Sequence, residues 1–192
     1  MSSEAAGYDL PVSSYVILGL LATRASATPY LLKKWVDESI GYFWDFPRAQ
    51  LYIDPERLAR LGLVAEERET SGRRRRVYRI TEAGEAELRR WLREPAATEV
   101  ELRDQGLLKL FFGSLLNADD VRALAARERD LHRQRLATYR QIRAQIERDP
   151  YPGAEFALAT LRMGVAYEEA SLAIWESLAV TLPQVTAPDV DA

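Results

Sequence analysis

Gly62-Leu63-Val64-Ala65-Glu66-Glu67-Arg68-Glu69-Thr70-Ser71-Gly72-Arg73-Arg74-Arg75-Arg76-Val77-Tyr78-Arg79-Ile80-Thr81-Glu82-Ala83-Gly84 reads as a strand, a tight turn at Thr70-Ser71-Gly72, a returning strand and a helix capped by Thr81. Two short strands meeting at an arginine-rich turn directly after a helix form a wing, whose tip reaches a DNA phosphate backbone. Arg73, Arg74, Arg75, Arg76 and Arg79 fall within seven residues that hold no acid. A hairpin whose charge merely discourages edge pairing is the bland alternative. Alternation along a strand sends neighbours to opposite faces, so about half of the four consecutive arginines face one duplex.

Upstream of the wing the pattern is helical. Ser13 or Ser14 caps a first, nearly all-apolar helix over Tyr15–Thr23. Thr28-Pro29 caps and opens a second helix to about Ile40, with Leu31, Leu32, Trp35, Val36 and Ile40 at helical spacing. A third helix, about Pro47–Leu61, turns Leu51, Leu58 and Leu61 inward and stops at Gly62, a residue suited to the left-handed conformation. Thr81–Arg93 is the fourth, ending before Pro95. The fold expected is mostly α: a winged helix-turn-helix over residues 1–94, its first ten residues a loose arm, followed by an all-helical dimerisation domain over 95–182 and a flexible tail over 183–192.

In the second half, Leu102–Leu116 precedes Asn117-Ala118-Asp119-Asp120, an amide cap with acids in the first helical turn. The helix this opens runs to about Arg148, roughly 45 Å at 1.5 Å per residue. Val121, Leu124, Leu131, Tyr139, Ile142 and Ile146 form its apolar stripe. A last helix, about Ala154–Leu182, carries Leu158, Leu161, Val165, Leu172, Trp175, Leu178 and Leu182. Two such helices expose more apolar surface than they hide against each other, so Leu124, Leu131, Ile142, Leu161, Leu172 and Trp175 are the candidate dimerisation residues. A self-contained antiparallel bundle is the alternative.

Composition narrows the chemistry. The 192 residues contain no cysteine, which removes disulfides, thiolate metal sites and cysteine nucleophiles. The one histidine, His132, lies among arginines and reads as a solvated helix-surface residue, with proton sensing as the minor reading. No P-loop, dinucleotide fingerprint or metal-binding helix appears, so neither cofactor, metal nor catalysis is expected. No apolar run approaches the roughly 18 residues of a membrane span, and Met1–Asp9 carries acids where a secretory leader carries bases. A cytoplasmic location is expected. The net charge of −3 argues against a nucleic-acid binder taken whole. Its distribution restores that reading, because the basic surplus is concentrated at the wing.

The assembled motifs resemble the PadR family of bacterial transcriptional regulators. The matching residues are Tyr15-Val16-Ile17-Leu18-Gly19-Leu20-Leu21, Pro29-Tyr30-Leu31-Leu32-Lys33, Gln50-Leu51-Tyr52 with Leu58 and Leu61-Gly62-Leu63-Val64, and Arg76-Val77-Tyr78-Arg79-Ile80-Thr81-Glu82-Ala83-Gly84. Residues 101–116 are similar to the opening of the family's longer helical C-terminal domain. Two departures stand out. Pro29 occupies the usual place of a glycine, and Pro55 that of a leucine within the third helix, where a proline removes one hydrogen bond and kinks the axis. The resemblance implies a homodimer that binds double-stranded operator DNA, represses transcription and is released by a small aromatic or lipophilic effector.

On the third helix, Arg48, Gln50 and Tyr52 occupy the first turns, the part that meets base edges: arginine suits guanine and glutamine suits adenine. Arg57 and Arg60 fall further along, toward phosphate or solvent. Lys33 and Lys34 read as backbone contacts or plain surface charges, and Tyr52 equally as packing under the wing. Among the large aromatics, which are core or the lining of an effector pocket, Trp91, Phe111 and Trp175 are the effector candidates. A reading from another class keeps the winged helix as a protein-interaction scaffold without DNA binding, which overall acidity favours and the concentrated wing arginines oppose.

Overall fold

The first helix begins where a proline sets its entry. In the computed structural model, which describes residues 8–44, 47–68, 75–96 and 102–182, Pro11 is extended and its carbonyl accepts the Ser14 N–H at 2.9 Å, opening α1 over Val12–Arg24. Ser13 and Ser14 are therefore not caps. Both lie inside the first turn and are buried, because the entry is already fixed one residue earlier. Ile17, Leu18 and Leu21 fill the core completely.

Thr28 caps α2 (Pro29–Asp37) by accepting the Leu31 N–H at 3.3 Å, with Pro29 at the first helical position. This helix stops before Ile40, which starts a single 3₁₀ turn, Ile40–Tyr42. The third helix, α3, spans Gln50–Arg60 and begins later than its sequence suggests. Pro47–Ala49 form a turn instead, with the Gln50 N–H on the Pro47 carbonyl at 2.9 Å. Pro55 leaves α3 continuous and its ring is fully buried. Gly62 closes the helix at φ +73°, the conformation its lack of a Cβ permits.

The wing strands β2 (Val64–Arg68) and β3 (Arg76–Ile80) pair antiparallel, Glu66 opposite Tyr78. The turn at Thr70–Gly72, with Arg73 and Arg74, lies outside the described residues, as do residues 1–7, 97–101 and the tail 183–192. A third strand, β1 (Ser26–Ala27), pairs with β3, giving the order β1-β3-β2. Two residues are too few to leave a periodic signal in sequence. Thr81 knits the wing base to α4 (Glu82–Arg93): its N–H donates to the Leu63 carbonyl at 3.1 Å, its hydroxyl to the Gly62 carbonyl at 2.8 Å, and that hydroxyl accepts the Gly84 N–H. Gly84 lies so close that a Cβ there would stand 2.0 Å from the Leu63 carbonyl oxygen.

These elements make one of two compact units, residues 1–98 and 99–192. Its core joins Ile17, Leu18, Leu21, Leu32, Leu51, Leu58, Leu63 and Tyr78. Trp91 of α4 stacks on Tyr15 of α1 at 4.6 Å, and the Tyr15 hydroxyl donates to Glu87 at 2.8 Å. Burial, then that hydrogen bond, pushes the Tyr15 phenol up to about 12.

The second unit is helical. Asp104 caps α5 (Gln105–Phe111), which is shorter than the span 102–116 because the chain tightens into a 3₁₀ turn at Gly113–Leu115. Asn117 caps α6 (Ala118–Arg148) through the Asp120 N–H at 2.9 Å, and Gly153 at φ +85° leads into α7 (Ala154–Val180). The two long helices pack antiparallel: Leu124 and Ala125 share a core with Trp175, and Gly164 admits the Tyr139 ring, which a Cβ would meet at 3.0 Å. No described helix is long and apolar enough to cross a membrane.

His132 corrects the surface assignment. The buried face of α6 runs through Val121, Leu124, Ala125, His132, Leu136 and Tyr139, while Leu131 stands on its shoulder, partly exposed. His132 is 1% exposed, its Nδ1 lies 2.5 Å from Glu168 Oε2, and its Nε2 has no hydrogen-bond partner among the described residues. Arg135 approaches the other Glu168 oxygen at 3.7 Å. Removing one partner of a buried hydrogen bond leaves the other unsatisfied. Glu168→Ala is therefore expected to lower the unfolding free energy by about 1–3 kcal/mol, read from urea denaturation followed by circular dichroism.

Candidate nucleic-acid interface

Helices α2 and α3 with the wing form the face on which the sequence-predicted cations converge. Lys33 and Arg48 share one carboxylate: Lys33 Nζ lies 2.8 Å from Asp37 Oδ2, and Arg48 pairs with Asp37 Oδ1. Lys33 first, then Arg48, holds the Asp37 carboxyl below its usual range. Lys34, one residue on, approaches Glu38 at 3.7 Å. Arg48 does not sit in a helical turn, since α3 begins only at Gln50. It stands in the preceding turn, 64% exposed.

Gln50, at the first position of α3, is half-buried, and Tyr52 is exposed rather than packed beneath the wing. Tyr52, Tyr30, Thr28, Pro29, Arg75 and Arg76 line a cleft of 510 Å³ between the helix starts and the wing. Tyr30 was not singled out as a contact from sequence. Its signal is positional: the second residue of a helix opened by proline has no preceding turn to pack against, and 70% of Tyr30 is exposed.

The two described arginines of the run Arg73–Arg76 differ. Arg75 is exposed, with no carboxylate partner among the described residues. Arg76 pairs with Glu56 of α3 and lies 3.7 Å from Glu66, whose Oε1 also receives Arg68 Nε at 2.8 Å. Arg68, with Arg76 beyond it, keeps the Glu66 carboxyl below its usual range. Arg60 lines a second cavity of 370 Å³ with Glu56, Ala59, Glu66, Arg68 and Arg76.

Arg57 corrects the expectation of a phosphate or solvent contact. It turns back against α1: its guanidinium lies 3.1 Å from Asp54 Oδ1 and donates to the Ser14 hydroxyl, while Ser13 Oγ donates to Asp54 Oδ2 at 2.5 Å. Asp54 is only 1% exposed, so its charge demands these partners.

The remaining candidates fall apart spatially. Trp91 belongs to the first unit, half-buried on Tyr15. Trp175 and Leu124, both candidate dimerisation residues, are buried together within a single chain. Leu131 is exposed, and Ile142, Leu161 and Leu172 are half-buried. Phe111 is 80% exposed, edge-on to Phe112. Near it in sequence Leu107, Leu108 and Leu115 are exposed, as are Phe156, Met163 and Ile174 of α7.

Residues 17–90 match the model of the transcriptional regulator PadR-like family, and residues 102–179 that of the virulence activator alpha C-terminal domain. The negative transcriptional regulator PadR of Bacillus subtilis is 27% identical over 112 residues, 57% of this chain and 61% of that protein. The match to that relative thus spans less than two thirds of its length. A probable transcriptional regulator of Mycobacterium tuberculosis is 29% identical over 191 residues, 88% of this chain and 97% of that protein. The crystal structure of B. subtilis PadR with operator DNA superposes with a TM-score of 0.77 at 22% identity, covering 88% of this chain and 98% of the other. Its structure with p-coumaric acid gives 0.71 at 21%, covering 91% and 97%. These superpositions establish the shared fold.

The geometry separates two arginines that composition treats alike. Arg57→Ala is expected to destabilise the first unit by about 1–3 kcal/mol, since it strands a buried carboxylate. Arg75→Ala is expected to leave the melting temperature unchanged and to reduce the slope of log affinity against log salt by about 0.9 on a duplex. Thermal denaturation and fluorescence anisotropy measure the two effects.

Proposed function

We propose that this chain, which carries a PadR-like transcriptional regulator domain followed by a virulence activator alpha C-terminal domain, is a sequence-specific DNA-binding repressor, a homodimer released from its operator by a small aromatic or lipophilic effector. The observation that carries this reading is the meeting of exposed Tyr52 of α3 with Arg75 and Arg76 of the wing in one cleft, with Arg48 and Gln50 in the turn and first position that open the same helix. Gln50 and Tyr52 meet base edges in the major groove, Arg48 enters beside them, and Lys33, Lys34, Arg75 and Arg76 follow the phosphates, with Arg73 and Arg74 extending that run. Two copies place their third helices one duplex turn apart, about 34 Å.

Dimerisation draws support from the apolar surface of the helical unit. Phe111, Leu115, Phe156 and Met163 are each more than 70% exposed, and covering such side chains with a second copy removes apolar area from water. Leu131, Ile142, Leu161 and Leu172 join that surface in the assembled dimer. The effector reading follows the B. subtilis relative, whose structure holds p-coumaric acid. Phe111 is its most accessible ring here, with Trp91 the second candidate. The role is binding rather than catalysis, exercised in the cytoplasm where chromosomal DNA is reached.

Fluorescence anisotropy of the purified protein on the DNA directly upstream of its own gene, at several salt concentrations, tests the reading. Tight binding that survives unrelated competitor DNA is expected, with about 0.9 of slope per phosphate contact, and release by an aromatic acid panel. Binding that disappears equally with either DNA counts against it.

A second expectation concerns assembly. Phe111→Asp with Leu115→Asp is expected to shift the protein from dimer to monomer in light scattering. A dimer that persists through both changes places the seam elsewhere.

A further inference from the structure

Two of the cations assigned to the DNA-facing surface, Arg48 and Arg76, are already paired. Asp37 holds Arg48 from the C-terminal end of α2 and takes Lys33 as well. Glu56 holds Arg76 from the outward side of α3, one helical turn after Tyr52. All four side chains are solvent-accessible, Arg48 and Glu56 more than half exposed. Pairs of this kind change an equilibrium by at most about a factor of five. They are weak enough to be exchanged and strong enough to be felt.

The two carboxylates act differently on the two kinds of duplex. A loosely held, sequence-independent complex relies on phosphates alone, and each phosphate brought to Arg48 or Arg76 stands beside a carboxylate of the same sign. A guanidinium has five N–H donors in a planar fork. It can therefore keep one edge on a carboxylate while offering the other to a guanine edge or to one well-placed phosphate. In that arrangement the carboxylate fixes the guanidinium's direction, lowering the rotamer freedom lost on binding.

We propose that Asp37 and Glu56 are specificity-determining residues: they compete with DNA phosphates for Arg48 and Arg76 in sequence-independent complexes, and orient the same guanidinium groups in the cognate one. The inference rests on the DNA-binding reading above. On this reading a chain of net charge −3 limits sequence-independent adhesion of its basic face through local acids as well as distant ones.

The test uses the full-length protein and a duplex that the wild type selects from a random pool, beside an unrelated duplex of equal length. Asp37→Asn and Glu56→Gln are each expected to raise affinity for the unrelated duplex about two- to fivefold, and to steepen its salt slope by up to about 0.9. Affinity for the selected duplex should change less than twofold or fall, so the specificity ratio drops. Glu147→Gln removes an equal charge from the exposed Arg143 pair on α6 and should change neither affinity. Circular dichroism melts confirm that each variant is folded.

An unchanged specificity ratio in both variants, or an equal gain from Glu147→Gln, overturns the proposal while leaving DNA binding intact. A wild type that enriches no sequence and binds neither duplex overturns both together.

Discussion

A buried carboxylate at the joint between α1 and α3 sets the orientation on which the DNA-facing surface depends. Asp54 is shut away from water, and a charge so placed persists only with its oxygens occupied. Ser13 donates to one oxygen, Arg57 lies against the other, and the same guanidinium reaches Ser14. Apolar contacts between Leu18, Leu51 and Leu58 supply adhesion, but a hydrophobic seam tolerates rotation and slippage that the two directed contacts between the helices, Ser13 to Asp54 and Arg57 to Ser14, do not. With α3 held in this register, Tyr52 and Glu56 face outward and Leu51 and Leu58 face the core. Pro55 fits the arrangement because its ring enters the core. The hydrogen bond it lacks belongs to a helix already held by its neighbours.

The helical unit repeats this logic with different chemistry. His132 and Glu168 meet between α6 and α7 amid apolar neighbours, with Tyr167 edge-on to the imidazole. Gly164 and Tyr139 add a steric key one to two turns away. Together they fix how far one long helix slides along the other. That register decides which apolar residues are enclosed, Trp175 among them, and which remain on the outer surface, such as Phe156 and Met163.

Much of this was legible in sequence because local chemistry announces it. Thr28-Pro29, Thr81, Asn117 and Gly62 each act on their own few residues, and the structure places all four at the helix ends where their side chains or φ angles predict. The two wing strands were equally visible. What escaped were properties set by tertiary neighbours. Arg57 and Arg75 are identical as letters, and only the position of α1 makes one a structural group. His132 looked like surface because arginines surround it in sequence, yet helical spacing from Ala125 to Leu136 passes through it and not through Leu131. Strand β1 is too short for any pattern. Helix α3 starts late because the turn at Pro47–Ala49 already uses the carbonyls a longer helix would need. The pairing of Arg48 with Asp37 and of Arg76 with Glu56 joins residues eleven and twenty positions apart, a distance at which charge patterning is silent.

The third helix divides its side chains between two faces. Leu51, Asp54, Pro55 and Leu58 are buried and engage the rest of the unit, whereas Tyr52 and Glu56 are open. On the proposed DNA-binding reading, a substitution on the open face changes what is read without altering how the helix is held, so the first set is constrained by folding and the second by the operator. Descendants of this chain can acquire new target sequences through a handful of outward substitutions while the same scaffold, polar joint included, passes unchanged from one regulator to the next.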